Sequence, residues 1–334
     1  MEKLFANKKL VVVFALACAI IWGVCYSCTK VGYSLFNIVK TDDFTDEASK
    51  MLFAGARFVL AGIISLGLSF IINKKFPAFP VKKTGGVLLY AFFQTFLQYA
   101  AMYIALSYID ASKSSILNQL GVFLLILLSH FLYKSDRFGV LKIVGCVIGF
   151  AGIIVVNLKG LNFSGVSFQG EGLIIVSSFS ATIGYVICKK MGSTGDPIGL
   201  TGWQQLIGGA GLLIVGLLCG GRLTVTGAGS ILMLIFLAVA ISVAYVVWSM
   251  LLKYNEMSKV AVYKLAVPVF GVLAGWAIGG ENIWTNPMLF VSMAMVSAGI
   301  LLVNMSGSKI SEKAKIIKIE KQTENSEGEK INEN

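Results

Sequence analysis

Ten long apolar runs constrain this sequence more than any other feature. They cover approximately residues 10–29, 51–72, 85–107, 113–133, 138–157, 171–189, 198–219, 228–252, 259–279 and 285–305. The hydrocarbon core of a bilayer is about 30 Å thick, and a helix that crosses it needs about 20 apolar residues. We therefore predict an all-α integral membrane protein with ten transmembrane helices, most of them joined by short loops.

The composition excludes a water-soluble body of this length. Of the 334 residues, 56% are hydrophobic and only 13% are charged, whereas a typical soluble domain has about 25% charged residues. There is too little polar surface to cover a soluble protein. The surroundings of this chain are therefore predicted to be a lipid bilayer.

Basic residues between the runs predict the orientation. Lysine pairs such as 74–75, 82–83 and 189–190 fall on one side of the predicted helices, and basic residues near helix ends stay on the cytoplasmic side. This predicts a multi-pass protein of the plasma or inner membrane with both termini cytoplasmic. The net charge of +11 then reflects topology, so we expect no nucleic-acid partner. Residues 306–334, which mix lysines and glutamates, are predicted to be a disordered cytoplasmic tail.

An internal repeat predicts the arrangement of the helices. Residues 108–113 read YIDASK and residues 254–259, which lie 146 positions later, read YNEMSK. The halves also end alike, with AGI at 151–153 and at 298–300. Each half holds five helices, so the second half enters the membrane from the opposite face. We therefore predict two inverted five-helix repeats, residues 1–160 and 161–305, an arrangement found in many secondary transporters.

Several short motifs together resemble those of a known family. They are Trp22-Gly23 followed by Lys30, Ala56-Arg57-Phe58, Ala105-Leu106-Ser107-Tyr108, and Pro268 followed by Gly280-Glu281. In this order they resemble EamA-type transporters of the drug/metabolite transporter superfamily, from residue 10 to about 305. The resemblance implies ten helices in two EamA repeats and alternating access to a central cavity. Where the second half has Pro268 and Gly280-Glu281, the first departs from the pattern with Gly121-Val122 and Lys134-Ser135. Pro268 and Gly121 are the candidate hinge positions.

Polar side chains inside the predicted helices are the candidates for substrate contact, since a charge at the bilayer centre costs about 2.5–3.5 kcal/mol on insertion scales. Lys264 comes four residues before Pro268, on the same helical face, and its equivalent in the first repeat is Asn118. The alternative for Lys264 is a side chain that reaches the headgroups. Arg57 and Lys30 belong to the family-like motifs. The remaining candidates are Trp22, Tyr26, Gln94, Gln98, Tyr185, Gln204, Gln205, Tyr245 and Trp248, for which packing is the alternative.

The sign of the charges in the predicted helices points to a class of substrate. The helix interiors hold four cations, Lys30, Arg57, Lys142 and Lys264, and no carboxylate near the middle of the membrane. A cationic cavity favours a small solute with a carboxylate, such as an amino acid or another organic anion. A phosphate-bearing solute, such as a nucleotide sugar or sugar phosphate, is the alternative if two or more of Lys30, Arg57 and Lys264 converge. The coupling ion and the direction of transport stay open.

Other functional classes find less support in the sequence. No cluster of nucleophile and base and no metal-ligand spacing is present, so we expect neither an enzyme, nor catalytic residues, nor a metal or cofactor. A non-transporting membrane receptor or scaffold remains the alternative of another class, with the tail as its only candidate partner site. The expected partners are a small-molecule substrate and the lipid bilayer, and the protein is expected to be a monomer or homodimer.

Overall fold

Every regular element that the structure describes is a helix. The computed structural model describes residues 2–38, 44–132, 140–155, 167–192, 195–285, 287–299 and 301–302; the tail predicted at 306–334 lies outside these residues. After a single turn at Glu2–Phe5, the helices are α1 (Lys8–Leu35), α2 (Phe44–Asn73), α3 (Val81–Ala105), α4 (Ala111–Leu117), α5 (Leu120–Leu132), α6 (Val140–Val155), α7 (Phe168–Gly192), α8 (Pro197–Leu218), α9 (Ala228–Tyr254), α10 (Met257–Ala261), α11 (Ala266–Ala277) and α12 (Pro287–Gly299).

The chain is a multi-pass, all-helical membrane protein in the part that the structure describes. Six helices, α1, α2, α3, α7, α8 and α9, are long and apolar enough to cross a bilayer, and α11 and α12 are shorter apolar helices. Large apolar side chains cover the outside, for example Ile71, Val147, Leu217 and Leu232, all more than half exposed. Serine, threonine and glutamine side chains are buried inside. Such an apolar exterior suits contact with lipid tails.

The predicted fourth and ninth helices are each broken, which corrects the expectation of continuous helices over 113–133 and 259–279. Between α4 and α5 the amides of Gln119, Gly121 and Val122 bond to carbonyls three residues back, at 2.9–3.2 Å. Between α10 and α11 the residues Val262–Leu265 form a 3-10 turn. Pro268 has no amide hydrogen for the carbonyl of Lys264, which explains the second break. The helices resume at Leu120 and Ala266, 146 residues apart.

The helix contacts follow a similar pattern in the two predicted repeats. Helix α1 packs against α9 and α11, and its counterpart α7 packs against α3 and α5. Helix α2 contacts α9, and its counterpart α8 contacts α3. Helices from both predicted repeats therefore enclose the centre of the helix assembly.

Helices α2 and α8 make the most extensive helix pair and run antiparallel. Gly209 of α8 lies against Phe58 and Val59 of α2, while Gly62 of α2 lies against Leu206. A side chain at Gly209 would come within 2.7 Å of the Val59 amide nitrogen. Small residues at such positions let two membrane helices approach closely.

Candidate functional site

A cavity lies at the centre of the described helices. Its volume is about 60 Å³, and a cavity needs about 10–15 Å³ to hold one water molecule. The cavity is therefore small and suits a few waters or a small polar group. Of the residues predicted from the sequence, those that line it are Trp22, Tyr26, Arg57, Gln98, Asn118, Gly121, Tyr185, Tyr245 and Lys264.

The ammonium group of Lys264 is enclosed by aromatic rings. Its Nζ atom lies 3.7 Å from the ring centroid of Tyr185, 4.3 Å from that of Trp22 and 5.0 Å from that of Trp248. It also donates a hydrogen bond to the Tyr185 hydroxyl. The side chain therefore points into the cavity rather than towards the headgroups. Trp248 does not line the cavity itself but forms the back of this ring cluster, which we call the aromatic cage (Trp22, Tyr185 and Trp248).

Arg57 reaches the cavity wall but is held by the protein. Its Nε donates to the carbonyl of Leu237 at 3.2 Å, and its Nη1 donates to Thr29 Oγ1 at 3.4 Å and to the Tyr103 hydroxyl. Its Nη2 lies 3.4 Å from the Cys25 sulfur. All three guanidinium nitrogens have partners, so Arg57 links α1, α2, α3 and α9 and adds positive charge to the wall.

Residues that are 146 positions apart in the chain make similar hydrogen bonds in the wall. Asn118 donates from Nδ2 to the Tyr26 hydroxyl at 2.7 Å, as Lys264 donates to Tyr185. The Tyr99 and Tyr245 hydroxyls, 146 residues apart, hydrogen-bond to each other at 3.0 Å. Tyr99 was not predicted as a site residue. The signal that could have identified it is its spacing of 146 residues from Tyr245, which equals the spacing of the repeat.

Three glutamines that were predicted as substrate contacts do not line the cavity in the structure. Gln204 accepts from Thr95 Oγ1 at 2.6 Å, and Gln205 accepts from Ser65 Oγ at 2.7 Å, so both glutamines serve the contacts of α8 with α3 and α2. Gln94 lies behind the wall, where its Nε2 donates to Gln98 at 2.8 Å and to the Tyr245 hydroxyl at 3.1 Å. Pro268, the candidate hinge, is buried beside the α10–α11 break.

Lys30 also lies away from the cavity, at the end of α1 near the start of α4. Its Nζ is 3.8 Å from a carboxylate oxygen of Asp110 and 3.8 Å from one of Glu281. Glu281 accepts from the amides of Ala111 at 2.7 Å and Ser112 at 3.2 Å, and from the Ser112 hydroxyl. Glu281 therefore ties the segment between α11 and α12 to the first turn of α4. Its role was not predicted from the family-like motif.

The described residues contain no group of three His, Cys, Asp or Glu side chains that could hold a metal ion. The charged residues that line the cavity are Lys264 and Arg57. Its described lining contains no carboxylate. This arrangement can bind and orient an anion.

Comparison with known proteins assigns the family. The model of the EamA-like transporter family matches residues 9–158 and, again, residues 168–305. The chain belongs to the EamA-like transporter family. The uncharacterized transporter YvbV of Bacillus subtilis is 28% identical over 305 residues, which cover 89% of this chain and 90% of that protein.

Further relatives cover nearly the whole of this EamA-like chain. A probable amino-acid metabolite efflux pump of Escherichia coli is 26% identical over 315 residues, covering 91% of this chain and 97% of that protein. The crystal structure of another protein matches 90% of this chain and 97% of its own chain, with a TM-score of 0.67 and 15% sequence identity. That likeness concerns the fold.

Proposed function

We propose that this EamA-like protein is a secondary transporter that moves a small metabolite with a carboxylate, an amino acid or another organic anion, across the cell membrane by alternating access. The observation that carries the proposal is the charge of the cavity wall. Lys264 and Arg57 both line it, and its described lining contains no carboxylate.

The electrostatics favour an anion by a useful margin. Two unit charges 5 Å apart interact by about 3 kcal/mol at an effective dielectric constant of 20, so Lys264 attracts a carboxylate and repels a cation by about this amount. Lys264 has three N–H donors, and the Tyr185 hydroxyl accepts from one of them. Each nitrogen of Arg57 already has a hydrogen-bond partner, so Lys264 is the cation with N–H donors left for a solute. One such cation suits a solute with one carboxylate.

Amino acids are the preferred members of this class because of the relatives. Two of them, from Salmonella typhimurium and Escherichia coli, are named probable amino-acid metabolite efflux pumps. At 26% identity the names support a related substrate without identifying it. The proposed action involves movement of the solute and no chemical conversion, and it needs no cofactor.

The proposed architecture is ten transmembrane helices in two inverted repeats, residues 1–160 and 161–305, with both termini cytoplasmic. The two family matches, the helix restarts at Leu120 and Ala266 and the antiparallel pair α2–α8 support it. In this architecture α2 and α8 are equivalent helices, and equivalent helices of inverted halves run in opposite directions. The exchange of roles between the halves would open the cavity to either side.

A phosphate-bearing solute is the second candidate. The convergence that it requires is met by Arg57 and Lys264, which both line the cavity, while Lys30 lies elsewhere. The engagement of every Arg57 nitrogen is the reason for preferring a single carboxylate. A membrane receptor or scaffold would depend on residues 306–334, which lie outside the described residues.

The test is transport by the purified protein in proteoliposomes. Labelled amino acids, organic acids, sugar phosphates and an organic cation are compared for the wild type, Lys264→Met and the control Lys30→Met. We expect a carboxylate solute to move, with a rate about 10- to 100-fold lower in Lys264→Met, because the attraction estimated above is lost, and little changed in Lys30→Met. Transport of sugar phosphates alone would select the second candidate. Transport of the cation alone would overturn the proposal.

A further inference from the structure

We propose that the ammonium group of Lys264 is a tethered occupant of a site that recognises organic ammonium ions, and that its presence excludes such ions from the cavity. The inference concerns the selectivity of the same cavity and so rests on the proposed function for its biological meaning. It assigns Lys264 a role in specificity: the lysine both supplies the charge for an anion and blocks the aromatic cage against free cations.

The geometry of the aromatic cage carries the first step. Three ring centroids lie within 5.0 Å of Lys264 Nζ. The planes of Trp22 and Trp248 meet at 70° and those of Tyr185 and Trp248 at 59°, so the rings surround the ammonium from different directions instead of stacking on one another. Rings arranged in this way form the aromatic cages that bind quaternary ammonium and methylated lysine.

Among the described residues, Lys264 has no carboxylate as a partner. No salt bridge of Lys264 occurs among the described residues, whereas Lys30, Lys50 and Lys113 are each paired with a carboxylate. The Tyr185 hydroxyl and the ring faces are therefore what holds the ammonium in place. Ring faces attract a cation whether or not it is attached to the chain.

The rings of the aromatic cage are held in place by contacts that do not involve Lys264. Trp248 is 1% exposed. Tyr245 lies edge-on to Trp22, with their ring centroids 5.9 Å apart. The Tyr245 hydroxyl accepts a hydrogen bond from Gln94 and shares another with the Tyr99 hydroxyl. A shortened residue 264 should therefore leave an empty cage of nearly unchanged shape.

Direct binding of a small ion tests the inference. In Lys264→Ala the removed atoms correspond to n-propylammonium, and 1-propanol has a similar shape without the charge. Binding of both labelled compounds is measured by equilibrium dialysis with purified protein in detergent. We expect Lys264→Ala to bind n-propylammonium at least tenfold more tightly than the wild type does, and at least tenfold more tightly than it binds 1-propanol.

Two further variants keep the test decisive. Lys264→Asn introduces the residue found at the equivalent position, Asn118, and should also bind n-propylammonium, which covers the case in which the alanine variant does not fold. Lys264→Ala combined with Tyr185→Leu removes one ring and should lose the binding. The inference would be overturned if folded Lys264→Ala and Lys264→Asn bind n-propylammonium no more tightly than the wild type does. It would also be overturned if they bind 1-propanol as tightly as n-propylammonium.

The outcome is separable from that of the proposed function. The dialysis experiment measures binding of a cation by variants and requires no transport. Absence of anion transport by the wild type would defeat the proposed function while leaving cation binding by the variants measurable. Absence of cation binding by the variants would defeat the cage inference and leave anion transport by the wild type unaffected.

Discussion

At the scale of single residues, three cations placed by sequence within the helices occupy three different surroundings. Arg57 is bonded at every nitrogen, Lys264 is enclosed by rings, and Lys30 meets two carboxylates near a helix start. The same kind of charge therefore takes part in helix packing (Arg57), in the proposed recognition of the solute (Lys264) and in the attachment of a loop (Lys30). Their different bonding predicts different consequences of substitution.

Arg57→Lys should destabilise the protein more than Lys264→Met does. A lysine presents a point charge and cannot reproduce the planar donors of a guanidinium, so at least one of the bonds to Leu237, Thr29 and Tyr103 is lost. A lost hydrogen bond to a charged group costs about 1.5–3 kcal/mol. Thermal unfolding in detergent should show a clearly lower midpoint for Arg57→Lys. Equal midpoints in the two variants would mean that the bonds of Arg57 contribute little to stability.

Glu281→Gln should be more destabilising than Asp110→Asn. Both carboxylates lie 3.8 Å from Lys30, but the side chain of Glu281 is 12% exposed and that of Asp110 is 74% exposed. Glutamine replaces one acceptor oxygen of Glu281 with a donor that faces Ser112, at a cost of about 1–2 kcal/mol, whereas an exposed pair contributes about 0–1 kcal/mol. Unfolding midpoints of the two variants measure the difference. The reverse order would show that Glu281 does not hold the start of α4.

At the scale of helices, the sequence predicts the positions of the helices well, but it predicts the breaks within them poorly. The apolar run over 10–29 becomes α1 and the run over 198–219 becomes α8, because hydrophobic length follows directly from residue type. The break after Leu117 has no proline or glycine at its start, and Asn118 and Gln119 each cost a helix no more than about 0.7 kcal/mol, which is too little to predict a break. It is visible only through the repeat, since Pro268 marks the equivalent break in the second half.

The candidate site shows the same division between what one helix encodes and what its neighbours decide. Trp22 and Tyr26 are spaced by one helical turn, so their common face was predictable, and both line the cavity. Gln204 and Gln205 are adjacent and so point about 100° apart on a helix. Their partners, Thr95 and Ser65, belong to other helices. The sequence of α8 alone does not contain that information.

The contact between α2 and α8 predicts opposite effects of alanine at two glycines of α2. A Cβ atom at Gly62 would lie 2.6 Å from the backbone nitrogen of Leu206, whereas one at Gly67 would meet nothing within 4 Å. Gly62→Ala should therefore destabilise by about 1–3 kcal/mol through overpacking. Gly67→Ala should stabilise by about 0.5–1 kcal/mol, because alanine favours the helix. Unfolding midpoints in detergent check both, and equal shifts would contradict the close approach of the helices.

At the scale of the whole molecule, Glu281 connects the two proposed halves. It belongs to the segment after α11 in the second half and binds the start of α4 in the first. With both termini cytoplasmic, as proposed, this connection lies on the outer side of the membrane. Alternating access then requires the connection to break whenever the cavity opens outward.

Loosening this connection should expose the cavity to the outside. Cys25 is not part of a disulfide and lines the cavity, so a variant with the other five cysteines replaced by alanine reports on access. In intact cells a membrane-impermeant maleimide should label Cys25 several-fold faster when Glu281→Gln is added, because the glutamine binds the amide and hydroxyl of Ser112 less well. Asp110→Asn, which leaves the contacts of Glu281 with α4 in place, is the matched control and should not accelerate labelling. Equal labelling rates in both variants would show that outward opening does not depend on Glu281.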